Sequence, residues 1–118
     1  MAQVEFTLQT GIVDGRMVFV GVGGDIDGAV NPDLIVQAGS VVHVTVTNGD
    51  GMPHDFLVAG LGAQAPMVNG VGATTEVRFA VTEDQVGTYS YYCTVAGHRQ
   101  AGMEGELIVV EPLSTISP

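Results

Sequence analysis

The chain has 118 residues, 46% of them hydrophobic, enough for one globular domain with its own core rather than a mini-protein stapled by disulfides. Thirteen acidic residues against three arginines and no lysine give a net charge of −10, which repels nucleic acid and anionic membrane and favours a basic or neutral partner. No apolar stretch is long enough to span a bilayer, and a single cysteine excludes an internal disulfide.

Short β-rich runs separated by Gly, Pro, Asn and Asp recur along the chain, and none has a sustained helical period. They predict strands over Val4–Leu8, Arg16–Val22, Leu34–Gln37, Val41–Asn48, Asp55–Ala59, Thr75–Val81, Thr88–Cys93 and Glu106–Val110. Eight short strands in this length predict an all-β fold, an antiparallel Greek-key β-sandwich. Between the second and third strands, Gly24 to Gly28 is a glycine-rich turn rather than a calcium loop, because Val36 stands where the closing glutamate would be. In the fourth strand Val42, Val44 and Val46 share one face, which puts His43 on the polar face with Thr45 and Thr47. The Gly-rich segment Gly60–Gly72 is expected to be a long loop with a short helical turn. The run from Asp84 to Tyr89 has the form of a tyrosine corner, which makes Tyr89 structural. In the seventh strand Tyr89, Tyr91 and Cys93 share one face, so Cys93 points into the sandwich at a strand end. Residues 1–111 are expected to form the domain, and 112–118 a tail or linker.

The chemistry concentrates in one loop. Cys93, His98 and Met103 follow one another at five-residue intervals, and His54 lies at a junction of turn and strand whose end of the sandwich faces that loop. A thiolate and two imidazoles in a near-trigonal arrangement, with a thioether as weak axial ligand, make the donor set of a mononuclear type 1 copper centre. Zinc fits less well, since its sites close with four Cys/His ligands or keep a water, and methionine serves neither. Each residue alone would read as core filling; the four together point to one copper ion held by His54, Cys93, His98 and Met103. Pro53 restricts the backbone before His54, and the exposed ring edge of His98 is the expected electron port.

The pattern Pro53-His54, the run from Gly87 to Cys93, and the run from Gly97 to Gly105 resemble the cupredoxins, plastocyanin-like domains above all. The resemblance implies a Greek-key β-sandwich, one-electron transfer through Cu(I)/Cu(II), and the same four residues as ligands. It also implies a periplasmic or otherwise exported location. The start of the chain lacks the basic and apolar pattern of a signal peptide, so either the protein is cytoplasmic or this is a mature or excised segment, and the resemblance favours the second. The chain also looks like the extra cupredoxin domain fused to some copper nitrite reductases. One departure stands out: Asp55 replaces the asparagine that often follows the first histidine in the family. A carboxylate there is expected to accept hydrogen bonds from Thr94 and, if ionised, to favour Cu(II).

Catalytic relatives need a second copper held by further histidines, and only His43 remains here, with Tyr92 and Thr94 flanking the cysteine. The expectation is an electron carrier or relay domain, not an enzyme by itself, with the reading as a cut piece of a larger nitrite reductase left open. Its partner would be a redox protein, such as a c-type cytochrome or a copper enzyme, or a fused catalytic domain. The other class of function is copper storage or delivery, which tends to use exposed, exchangeable sites. Met52, Pro53, Ala96, Gly97, Ala101 and Gly102 are expected to form a docking patch around His98, with Arg99 adding positive charge; Tyr92 reads first as an ordinary strand tyrosine and second as another surface port.

Overall fold

The structure is a computed structural model that describes residues 2–112. All of the expected tail except Pro112 therefore lies outside the described residues. Among the described residues nine strands are present: β1 (Gln3–Val13), β2 (Arg16–Val22), β3 (Leu34–Gln37), β4 (Val41–Thr47), β5 (His54–Val58), β6 (Ala63–Val68), β7 (Thr74–Ala80), β8 (Gly87–Tyr92) and β9 (Glu104–Val110). They form two sheets, ordered β2-β1-β4-β7 and β3-β9-β8-β5-β6, that close face to face as an all-β sandwich. The pairing is not antiparallel throughout as expected, because β1 runs parallel to β4 and β3 parallel to β9.

Period-2 patterning explains most of the strands. In β4 the valines at 42, 44 and 46 are fully buried, while His43 and Thr45 lie on the outer face. β1 is longer than its apolar run predicts because it continues into a hairpin with β2, closed by Asp14 and Gly15, both at positive φ (52° and 76°). A two-residue turn of this kind matches the twist of the strands it joins.

The chief departure is β6, which occupies the segment expected to be a loop. Ala63, Ala65 and Val68 face inward, but Pro66 and two alanines give this stretch a weak strand signature. Proline is tolerated because β6 is the edge of its sheet and owes no hydrogen bond to a further strand. The pairing of β6 with β5 slips between His54 and Phe56, where β6 carries one extra residue. Such a bulge re-aims side chains. Here it accompanies three consecutive buried residues, His54, Asp55 and Phe56.

The core below that end of the sandwich is aromatic. Phe19 from one sheet meets Phe56 and Tyr91 from the other, with ring centroids 5.8 and 5.7 Å away, and Phe56 lies 5.2 Å from Tyr91. Tyr91 donates its hydroxyl proton to the Pro32 carbonyl at 2.7 Å, and Tyr89 donates to the Gln85 carbonyl at 2.7 Å, the bond a tyrosine corner requires. Burial, aided by the charge of Asp33, pushes the Tyr91 phenol well above its ordinary range, so it stays a donor.

Gly105 pairs with Tyr91 across the β8–β9 ladder, and a Cβ there would lie 2.4 Å from the tyrosine ring. Gly105→Ala is therefore expected to destabilise the domain by about 1–3 kcal/mol, the usual cost of overpacking. Thermal unfolding should show a lower midpoint, and an unchanged one would mean that Tyr91 moves aside freely.

Candidate metal centre

Cys93 follows directly on β8, and the loop from 93 to 103 folds back on itself before β9. Its backbone bonds tie three of the expected ligands together. The Cys93 N–H donates to the Met103 carbonyl at 3.3 Å, and the Met103 N–H donates to the His98 carbonyl at 3.1 Å. Gly102 turns the chain at φ 126°, and its carbonyl accepts from the Asn31 amide at 2.7 Å. Asn31 also accepts from the Phe19 N–H at 2.9 Å, so one side chain clamps β2 to the ligand loop. No motif in the sequence marks Asn31; its positive φ of 47° and its two bonds are visible only in the fold.

His54 opens β5 and projects Nδ1 toward Cys93. The thiol Sγ lies 3.8 Å from Nδ1 of His54 and 3.6 Å from Nδ1 of His98, and the two nitrogens are 3.2 Å apart. The point equidistant from these three atoms is about 2.1 Å from each, near the length of a zinc–imidazole bond and slightly under that of a zinc–thiolate bond. A first-row metal ion fits there, and a water does not. His54 and Met103 are fully buried, Cys93 is 1% exposed, and His98 at 8% carries nearly all the exposure of the four. The donor set, thiolate, two imidazoles and a buried thioether, suits copper in either oxidation state better than zinc.

The electrostatics follow from burial. Desolvation is the main force that pushes the Cys93 thiol up, opposed by backbone N–H groups of Asp55 and Val95. His98 is held below its ordinary value, first by desolvation and then by the neighbouring His54. The metal-free site at neutral pH thus holds a thiol and a neutral His98.

Asp55 links the segments that carry His54 and Cys93, a role the sequence leaves open. Its carboxylate accepts from the Thr94 N–H at 2.6 Å, from the Thr94 hydroxyl, and from the Gln64 amide at 3.0 Å. Its own N–H points at Cys93 Sγ, 3.5 Å away. Sequence reasoning passed over Asp50, whose two carboxylate oxygens sit 2.8 and 2.9 Å from Nε2 of His54. An acid four residues before a histidine in a Gly-rich turn is too weak a signal to single out, since such an acid is usually solvated.

His43 stays outside this cluster. It lies on the outer face of β4 between Glu5 and Glu76, at 3.2 and 2.7 Å. Arg99 does not leave a free positive charge near His98. Its guanidinium lies 3.9 Å over the Tyr92 ring and is paired with Glu104 at 2.6 Å. Of the expected docking patch, Gly102 is buried against the Met17 carbonyl, whereas Met52, Ala96 and Gly97 are exposed. Val71, 75% exposed and adjacent to Gly51, adds to the apolar surface at this end.

Comparison with curated proteins at the sequence level returns no match. Solved structures show the same fold. Auracyanin A, a "blue" copper protein from the photosynthetic bacterium Chloroflexus aurantiacus, superposes with a TM-score of 0.67 at 22% identity, over 92% of this chain and all of that one. A copper-containing nitrite reductase from Thermus scotoductus matches at TM-score 0.65 and 22% identity, over 98% of this chain and 29% of its own length. Fet3p, a multicopper oxidase that functions in iron import, matches at TM-score 0.64 and 23% identity, over 98% of this chain and 24% of its own. This chain therefore spans about a quarter of the length of those two enzymes. The family model for copper binding proteins, the plastocyanin/azurin family, matches residues 6–110. That span reaches into every strand of the sandwich and takes in the whole thiol–imidazole cluster: the chain belongs to the plastocyanin/azurin family of copper-binding proteins.

Proposed function

We propose that His54, Cys93, His98 and Met103 hold the copper ion, and that the chain passes electrons to and from a protein partner or a fused domain without catalysing a reaction itself. The observation that carries this reading is the convergence of Cys93 Sγ and two Nδ1 atoms on one point inside a nearly dry pocket. Copper bound there supplies a one-electron Cu(II)/Cu(I) couple.

The chain's own residues do the rest. The sandwich and the backbone bonds from Cys93 to Met103 and from Met103 to His98 hold the donors in place, which limits rearrangement when the charge changes. Burial of His54, Cys93 and Met103 excludes water and leaves the His98 edge as the route to the surface. Around it, Met52, Pro53, Val71, Ala96 and Gly97 offer an apolar docking patch on an otherwise acidic protein. A basic or neutral redox protein suits that surface. Storage or delivery of copper would need an exchangeable site, and ligands this deeply covered argue against it. His43 alone cannot build a second copper site, which supports a relay rather than an oxidase or reductase. Among the described residues no helix is long and apolar enough to cross a membrane, and the family resemblance supports an exported location.

Copper-loaded protein is expected to bind one copper per chain and to turn over neither nitrite nor oxygen when supplied with a reductant. Cys93→Ser should abolish the intense visible band while the far-ultraviolet dichroism of the sandwich persists, and His43→Ala should leave the band unchanged. Visible absorption of the two loaded variants checks both, and loss of the band in His43→Ala would reassign the histidine.

Met103→Leu keeps apolar bulk but removes a thioether that stabilises Cu(II), so voltammetry should show retained copper and a higher reduction potential. A lower potential would remove Met103 from the ligand set.

Because burial raises the Cys93 thiol and lowers His98, loading Cu(II) at pH 7 should release about one proton, that of Cys93, and copper affinity should fall as pH is lowered. An indicator dye in weak buffer measures the release. No release would show that the metal-free site already holds a thiolate.

A further inference from the structure

The two histidines of the cluster are not equivalent. Both aim Nδ1 at Cys93, but only His54 has a carboxylate on its far nitrogen. Asp50 spans Nε2 with both oxygens, at 2.8 and 2.9 Å, from a side chain only 10% exposed. An ionised carboxylate can only accept, so the contact places a proton on Nε2, and in the neutral imidazole that leaves the Nδ1 lone pair for the metal side.

The loop that presents Asp50 is built for the purpose. Asn48, fully buried, accepts from the Asp50 N–H at 3.2 Å and the Gly51 N–H at 2.7 Å. The same side chain donates to the carbonyls of Met52 at 2.5 Å and Val68 at 3.1 Å. Gly49 donates to the buried Thr10 hydroxyl at 3.0 Å, and a Cβ at Gly49 would lie 2.3 Å from the Thr10 carbonyl oxygen. Asp50 accepts once more, from the Met52 N–H at 3.0 Å. The carboxylate therefore reaches His54 from a turn pinned to β1 and β6, and it does not depend on a chance rotamer.

We propose that Asp50 is a positioning residue for the electron-transfer site: it locks His54 in the Nε2–H tautomer and, through its charge, makes Nδ1 the stronger of the two imidazole donors. The proposal rests on the reading of His54 as a copper ligand. A more basic imidazole stabilises Cu(II) over Cu(I), so Asp50 lowers the reduction potential and slows loss of metal. Asp55 acts elsewhere in the site, its carboxylate on Thr94 and its own N–H toward Cys93 Sγ, so the two acids have separate targets.

The test compares the whole chain with Asp50→Asn, which keeps an acceptor but no charge, and Asp50→Ala, which leaves Nε2–H with no partner. In metal-free protein labelled with nitrogen-15, wild-type and Asp50→Asn His54 should appear as the Nε2–H tautomer, and Asp50→Ala should lose that preference. In the loaded protein Asp50→Asn should retain the visible band with a raised potential, and Asp50→Ala should bind copper about 10–100-fold more weakly. An Nδ1–H tautomer in the wild type, or a potential that does not move in Asp50→Asn, overturns the proposal. Wild-type protein that takes up copper without an intense band would overturn the ligand assignment instead. The tautomer measurement, made without metal, still decides whether Asp50 holds His54.

Discussion

The carboxylate of Asp55 is the knot on which the site depends. It joins the residue after the cysteine, Thr94, to the strand that begins with His54, and its remaining oxygen capacity is taken up by Gln64 of β6. A buried acid at 4% exposure would be costly without partners. Here every donor that reaches it comes from a segment that must keep its position for Cys93 and His54 to face each other. The same residue turns its backbone N–H toward Cys93 Sγ, so the link runs to the sulfur itself. An asparagine could make part of this pattern, but it would have to turn an N–H₂ toward either Gln64 or Thr94.

Beneath this knot the two sheets contribute stiffness. Phe19, Phe56 and Tyr91 interlock edge to face across the sandwich, and Tyr91 is fixed at its hydroxyl by Pro32 and along its ring by Gly105. Cys93 follows Tyr91 by two residues and shares its face, so the thiol inherits the order of the aromatic layer. Above it, the loop to Met103 is tied by its own backbone and by Asn31. A site that must gain and lose an electron with little motion is thus held from below by packing and from above by hydrogen bonds.

The surface divides in a similar way. Near the site Met52, Val71, Ala96 and Gly97 are exposed small or apolar residues, interspersed with the exposed polar side chains of Arg99 and Gln100. On the flank, Tyr92 lies under the Arg99 guanidinium, and Arg99 is paired in turn with Glu104. A route leaving the thiolate through Tyr92 would emerge beneath a cation, while one through the His98 edge would emerge in the proposed apolar patch. The surrounding net charge of −10 disfavours anionic partners at either place.

Much of this was legible in the residues alone. Alternation placed Val42, Val44 and Val46 inside and His43 outside, and it turned Cys93 inward beside Tyr91, because a strand's side chains alternate whatever its neighbours are. The spacing of Cys93, His98 and Met103 carried the metal chemistry, since those three donor types in one loop have few other uses. The extra strand β6 was hidden because its residues, with Pro66 and two alanines, are weak strand formers; pairing with β5 at a sheet edge overrides their preference. The parallel pairings of β1 with β4 and of β3 with β9 are set by how the sheets close, which no local pattern records. Asp50, Asn31 and Asn48 carried no local signal strong enough to be singled out, for a polar residue in a turn is usually solvated. Only the tertiary structure places Asp50 on the far nitrogen of His54, Asn31 between β2 and the Gly102 carbonyl, and Asn48 within the turn that presents Asp50. A donor's chemistry belongs to its residue type and survives in the sequence, whereas the partner that orients the donor is chosen by distance, and distance across a sandwich is decided by the fold.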